Sequence, residues 1–183
     1  MRSLLLVFVI TFWLMFLGGC TRHARVLVTR DACNLVSNQE IESVQNAAVK
    51  EAKSSEHSDG TFRVSECLYT AAEFSKSVSL ALIQPDPTQA SARTPKDFWK
   101  EKFDPYRDEE PKAQSGDDKA EGSAPKKVEG LGDEAYWVAN RFGGMLYVLK
   151  GESFISIGIG GTDDEGAKLQ KSKTLAQKAI QRL

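Results

Sequence analysis

"GMLYVLKGESFISIGIG", Gly144–Gly160, reads as two strands folded back on each other. Apolar residues alternate through Leu146 and Val148, and again through Ile155 and Ile157, which is the period of a strand with one buried face. With Gly151-Glu152 as a two-residue loop, Val148 opposes Ile155 and Leu146 opposes Ile157, so one face is continuously apolar. Tyr147, Leu149 and Phe154 then fall on the other face, which predicts that this side is partly covered as well. Just upstream, "AYWVA" (135–139) reads as a third strand, with Gly143-Gly144 in the intervening turn. Three consecutive strands on short turns predict an antiparallel sheet.

The flanking sequence supplies helices to cover it. The last stretch, "TDDEGAKLQKSKTLAQKAIQRL", starts with Thr162 and Glu165 at capping-box spacing, with Asp163 and Asp164 in the first turn. Leu169, Ala176, Ile180 and Leu183 form its expected buried stripe, and Lys168, Lys171 and Lys178 are expected to point away. "TPKDFWKEKF" (94–103) predicts a short helix capped by Thr94, with Pro95 at the first helical position and Phe98, Trp99 and Phe103 against a sheet. "VSNQEIESVQNAAVKEAK" (36–53) predicts another, with Ser37 and Glu40 as capping box, Val36 and Ile41 as staple, and a stripe continuing through Val44, Ala48 and Ala52. "SSEHSDG" (54–60) is expected to end it as a turn. "TFRVSECLYTA" and "KSVSLALIQ" predict two more strands paired as a hairpin, the second stopped by Pro85. The expected fold is α+β, an antiparallel sheet of about five strands with three helices in the order αββαβββα. Between Asp104 and Lys127, Pro, Gly, Ser and mixed charges leave almost nothing to bury, which predicts a flexible charged insert within the single domain 31–183.

The N-terminus carries the address. Met1-Arg2-Ser3 has one positive charge, the 14 residues Leu4–Leu17 are almost wholly apolar, and Gly18-Gly19 are small. That is the layout of a secretory signal peptide over residues 1–19, and 14 apolar residues are short for a span that needs about 20. Leu17-Gly18-Gly19-Cys20 resembles the bacterial lipobox. The resemblance implies diacylglyceryl transfer to the Cys20 sulfur, cleavage before Cys20, and a further acyl chain on the new amine, giving the two or more chains that stable anchoring requires. Thr21 follows, rather than the Asp that often retains such proteins in the inner membrane, so the resemblance implies the outer membrane, facing the periplasm. An ordinary signal peptide with a chance cysteine, and a retained short anchor, are the competing readings. Residues 20–30 then form a tether in which Arg22, Arg25 and Arg30 are either a solvated linker or a weak contact with anionic head groups.

Composition excludes some function classes. Lys and Arg number 24 against 25 Asp and Glu, so no basic excess argues for nucleic acid. With Cys20 lipidated, Cys33 and Cys67 are left as a pair, read either as a disulfide in an oxidising compartment or as two buried thiols. No metal site is expected: His23 and His57 lie in the tether and a turn, and the acidic pairs Glu109-Glu110 and Asp117-Asp118 lack an EF-hand pattern. "GIGGTDDE" (158–165) lacks the Lys of a phosphate loop and sets three carboxylates where the anion would sit. "HSD" (57–59) places triad residue types side by side, where they cannot align as a triad. No motif implies a catalytic residue or a cofactor.

"VEGLGDEAYW" (128–137) stands apart as a turn rich in glycine running into a strand. With Cys33-Asn34-Leu35-Val36-Ser37-Asn38-Gln39-Glu40 and a second cysteine after the first helix, it resembles secreted bacterial lipoproteins of unknown function over about residues 31–183. Element order alone is also distantly similar to PsbP-like α/β sandwiches. Gly130, Gly132 and Asp133 are read as turn chemistry, and Asp133, Tyr136 and Trp137 as a candidate ligand surface. The resulting expectation is a lipid-anchored envelope protein that binds a partner or small ligand without catalysis. The alternatives are an envelope enzyme built on Asp133, Tyr136 and nearby carboxylates, and a purely structural assembly lipoprotein.

Overall fold

The computed structural model describes residues 29–88, 93–107, 124–141 and 143–183. Within these, one antiparallel sheet holds seven strands: β1 (Val49–Ser58), β2 (Phe62–Ala71), β3 (Val78–Pro85), β4 (Lys126–Lys127), β5 (Glu134–Val138), β6 (Met145–Lys150) and β7 (Ser153–Ile159). Their order across the sheet is β1-β2-β3-β7-β6-β5-β4. Three α-helices complete the α+β fold: α1 (Asn38–Gln45), α2 (Pro95–Phe103) and α3 (Glu165–Ile180).

The central register follows from the side-chain pattern. Val148 pairs with Ile155 and Leu146 with Ile157, as the alternation demands. These four belong to the larger core, which α1 and α3 close on one face with Ile41, Leu175 and Ala176. Tyr136, Leu149 and Phe154 point to the opposite face and meet Trp99 and Phe103 of α2 in a second core. Phe103 stacks on Tyr136 at 4.6 Å and Trp99 lies 4.5 Å from Phe103. Such ring pairs contribute roughly 0.5–1.5 kcal/mol each beyond area burial. The sheet is therefore covered on both sides, although α2 covers only part of its face.

Two helix starts match their sequence signals. Ser37 Oγ accepts the Glu40 N–H while the Glu40 carboxylate accepts the Ser37 N–H, and Thr94 and Asp97 do the same for α2. Elsewhere the structure corrects the expectation. Helix α1 stops at Gln45, because Asn46 turns left-handed at φ 49°. Residues 49–58, expected as helix end and turn, instead form the edge strand β1, every residue after Val49 exposed. Such a strand has no buried face, so it carries no apolar alternation, and its Ala and Lys content mimics a helix. This strand and the two-residue β4 raise the count from about five to seven.

The expected insert 104–127 carries structure at both ends: Asp104–Tyr106 continues α2 as a 3-10 turn, and Lys126–Lys127 pairs with β5. Its residues 108–123 lie outside the described residues, as do the leader 1–19 and Cys20. At α3 the cap is Asp164, which accepts the Ala167 N–H, rather than Thr162, and Asp163 pairs with Lys171 at 2.6 Å. The buried stripe is also rotated: Lys168, Ser172, Leu175, Ala176 and Ala179 are buried, and Leu169 and Ile180 only half so. The Lys168 side chain runs against Gly143, where a Cβ would stand 2.7 Å from its Cδ.

Before α1, the chain is fastened to the sheet over four residues. Arg30 and Gln84 exchange two hydrogen bonds, the Ala32 N–H donates to Ser65 Oγ at 2.9 Å, and Cys33 stands at disulfide distance from Cys67, Cα to Cα 5.0 Å. The Tyr69 hydroxyl, buried beside them, donates to the Val36 carbonyl at 2.6 Å. Burial, reinforced by the nearby Asp31 charge, pushes its pKa up to about 12.

Candidate functional site

The three residues read as a ligand surface do not converge. In a strand, neighbours in sequence face opposite ways, and Tyr136 accordingly lies under α2 while Trp137 lies in the core beneath α3; both are fully buried. Strict alternation was the signal that excludes Tyr136 and Trp137 from one surface. Asp133 sits on the preceding turn and is occupied: its carboxylate accepts the Gly151 N–H at 2.7 Å and pairs with Lys150 at 3.1 Å. The Gly151 N–H above all holds its pKa below the usual carboxylate value.

Glu134 and Trp137 of this motif instead tie one element to another, while the buried Tyr136 hydroxyl has no hydrogen-bond partner among the described residues. Glu134 accepts the Trp99 indole N–H at 2.9 Å and pairs with Arg107 at 2.8 Å. The Trp137 indole donates to Glu165 at the start of α3, at 3.0 Å. Gly132 has φ 63°, and a Cβ there would stand 2.4 Å from the Leu149 carbonyl oxygen. The turn can approach β6 only because that position lacks a side chain. The stretch Gly130–Trp137 thus works as a fastening between α2, α3 and the β6–β7 hairpin.

An accessible concavity lies elsewhere, on the part of the sheet that α2 leaves open. Alternation brings one face of five adjacent strands together: Lys53 and Ser55 of β1, Glu66 and Leu68 of β2, Ser79 and Ala81 of β3, Ser156 of β7, and Met145 of β6. They line a groove of about 420 Å³. Gly158, between Ser79 and Met145 in the register, keeps the floor low; a Cβ there would stand 2.8 Å from Ser79 Oγ. Leu68 is 41 % exposed, one of two large apolar side chains left open among the described residues. The sequence pattern does not reveal this site, because its residues are scattered over five strands and one of these, β1, falls where the pattern predicts a helix end and a turn.

Chemically the groove offers one ammonium, one carboxylate, three hydroxyls and an apolar strip of Leu68, Ala81 and Met145. Its only cysteine, Cys67, is the partner of Cys33, and no histidine lines it. That set can hydrogen-bond and cover a ligand of mixed polarity. It contains no nucleophile paired with an imidazole base. Among the described residues no three His, Cys, Asp or Glu side chains gather as a metal site, and no helix is long and apolar enough to cross a membrane. No family model, curated protein or solved structure matches this chain.

Proposed function

We propose that this chain is a cell-envelope lipoprotein, anchored through lipid on Cys20 in the outer membrane and facing the periplasm, that binds a partner or small ligand rather than catalysing a reaction. The stretch Leu17-Gly18-Gly19-Cys20 after a 14-residue apolar run carries the anchoring half of this reading. The Cys33–Cys67 pairing supports the compartment, since such bonds persist where the surroundings are oxidising. The groove between Lys53 and Met145 supports the binding half, being a concave surface that mixes apolar floor with hydrogen-bonding rim.

Mass spectrometry of the membrane fraction tests the anchor. A mature chain starting at lipid-bearing Cys20 is expected; an unmodified Cys20 still preceded by residues 1–19 overturns it. Co-purification with the intact protein tests the groove. Ser79 is exposed there, so Ser79→Trp fills the groove without touching the core, and a bound component is expected to be lost. Retention of the same component by Ser79→Trp removes the groove from the proposal.

A further inference from the structure

Among the described residues strand β1 is an edge of the sheet, exposed from Lys50 to Ser58. Its hydrogen-bonding parity can be read from the turn that follows. The Asp59 N–H donates to the Phe62 carbonyl, and the register from Glu51↔Thr70 to Ser58↔Arg63 is unbroken. Bonded pairs alternate with non-bonded ones in an antiparallel ladder. Glu51, Lys53, Ser55 and His57 therefore bond to β2, whereas Ala52, Ser54 and Glu56 turn their N–H and C=O groups outward. Exposed edges of this kind template pairing with another strand unless charge blocks it.

Here the charges favour one register of pairing. We propose that β1 pairs antiparallel with β1 of a second copy of this chain, about a two-fold axis normal to the sheet at Ala52. Ala52 then bonds to Ala52 of the second copy, using the outward groups. Glu51 stands directly opposite Lys53 of the second copy, and Lys53 opposite its Glu51, in non-bonded pairs where side chains come closest. Shifting the axis to Lys53 sets Lys53 against itself. Shifting it to Ser54 leaves no Lys–Glu pair directly opposed. Charge thus selects the register at Ala52, and the two grooves, each beginning at Lys53, come to flank the seam.

Cysteine crosslinking of the full chain in mild detergent tests this pairing, independently of what anchors the chain or fills the groove. In the proposed register Ala52→Cys places two thiols across a bonded pair about 5.5 Å apart at Cα, within disulfide range. Ser54→Cys places them about 13 Å apart along the strands, beyond it. Oxidation is expected to dimerise Ala52→Cys and leave Ser54→Cys monomeric. Adding Glu51→Lys or Lys53→Glu to Ala52→Cys is expected to lower the crosslinked fraction about tenfold, and the double exchange E51K/K53E to restore it. All these side chains are exposed on β1, so the fold is expected to survive each change. A monomeric Ala52→Cys, crosslinking that favours Ser54→Cys, or a dimer indifferent to charge reversal overturns the proposal.

Discussion

Trp99 and Glu134 are 35 residues apart in the chain and joined by one hydrogen bond, the indole N–H donating to the carboxylate at 2.9 Å. That bond closes α2 onto β5, and it is the polar contact of a tryptophan otherwise sealed in the second core at 1 % exposure. Glu134→Ala leaves the buried N–H without its acceptor and is expected to destabilise the fold by about 1–3 kcal/mol. Glu134→Gln keeps an acceptor and gives up only the more exposed pair with Arg107, about 1 kcal/mol or less. Urea unfolding followed by tryptophan fluorescence separates the two. Equal midpoints for both variants would show that the indole bond contributes little.

The two ends of the domain meet through Glu40 and Arg182, bonded at 2.7 and 2.8 Å while Arg182 also donates to the Leu35 carbonyl. This guanidinium, chiefly, lowers the Glu40 pKa from 4.5 to about 2. A depressed carboxyl stabilises the fold fully above its unfolded value and ceases to do so as pH falls through the folded one. Wild type is therefore expected to lose part of its stability between about pH 4.5 and 2 through this pair. Glu40→Gln should melt lower than wild type at pH 6, and the gap should close towards pH 2. A gap independent of pH would assign the loss to the helix cap alone.

Two glycines of one turn separate backbone strain from steric contact. Gly130 and Gly132 both have positive φ, but a Cβ at 130 meets nothing within 4 Å while one at 132 runs into the Leu149 carbonyl. Gly130→Ala is expected to cost about 1–2 kcal/mol, the left-handed penalty alone. Gly132→Ala is expected to cost more, since β6 or the turn must shift. Thermal unfolding of the pair decides; similar losses would mean that the turn yields freely.

Cys33 and Cys67 lie 34 positions apart, and in the chain-entropy model closing such a loop stabilises the fold by roughly 3–4 kcal/mol. Thiol titration of the denatured, unreduced mature protein is expected to find neither cysteine free. Reduction should lower the denaturation midpoint substantially. Two titratable thiols would remove the bridge.

Much of the centre was legible before the structure. The β6–β7 register, the caps of α1 and α2 and the second covered face all follow from strong local patterns: alternation, capping boxes, aromatic spacing. What was misread lacked such patterns. β1 exists because β2 offers it a partner, and an exposed strand of Lys, Glu, Ser and Ala announces neither period. Lys168 is buried with its side chain against Gly143, a contact between two distant residues that no local pattern announces. The groove was hidden for the same reason, since only the sheet order brings Lys53 and Met145 to one place.

The fastening of residues 30–33 has a mechanical consequence. Tension arriving along the chain before Arg30 passes first to Gln84, then to Ser65, then through Cys33 and Cys67 into β2. β2 is flanked on both sides by other strands, so the pull meets the interior of the sheet rather than peeling its rim. Helix α1 lies beyond the crosslink and is shielded from the load. The domain can be tugged at its N-terminal end without unravelling from it.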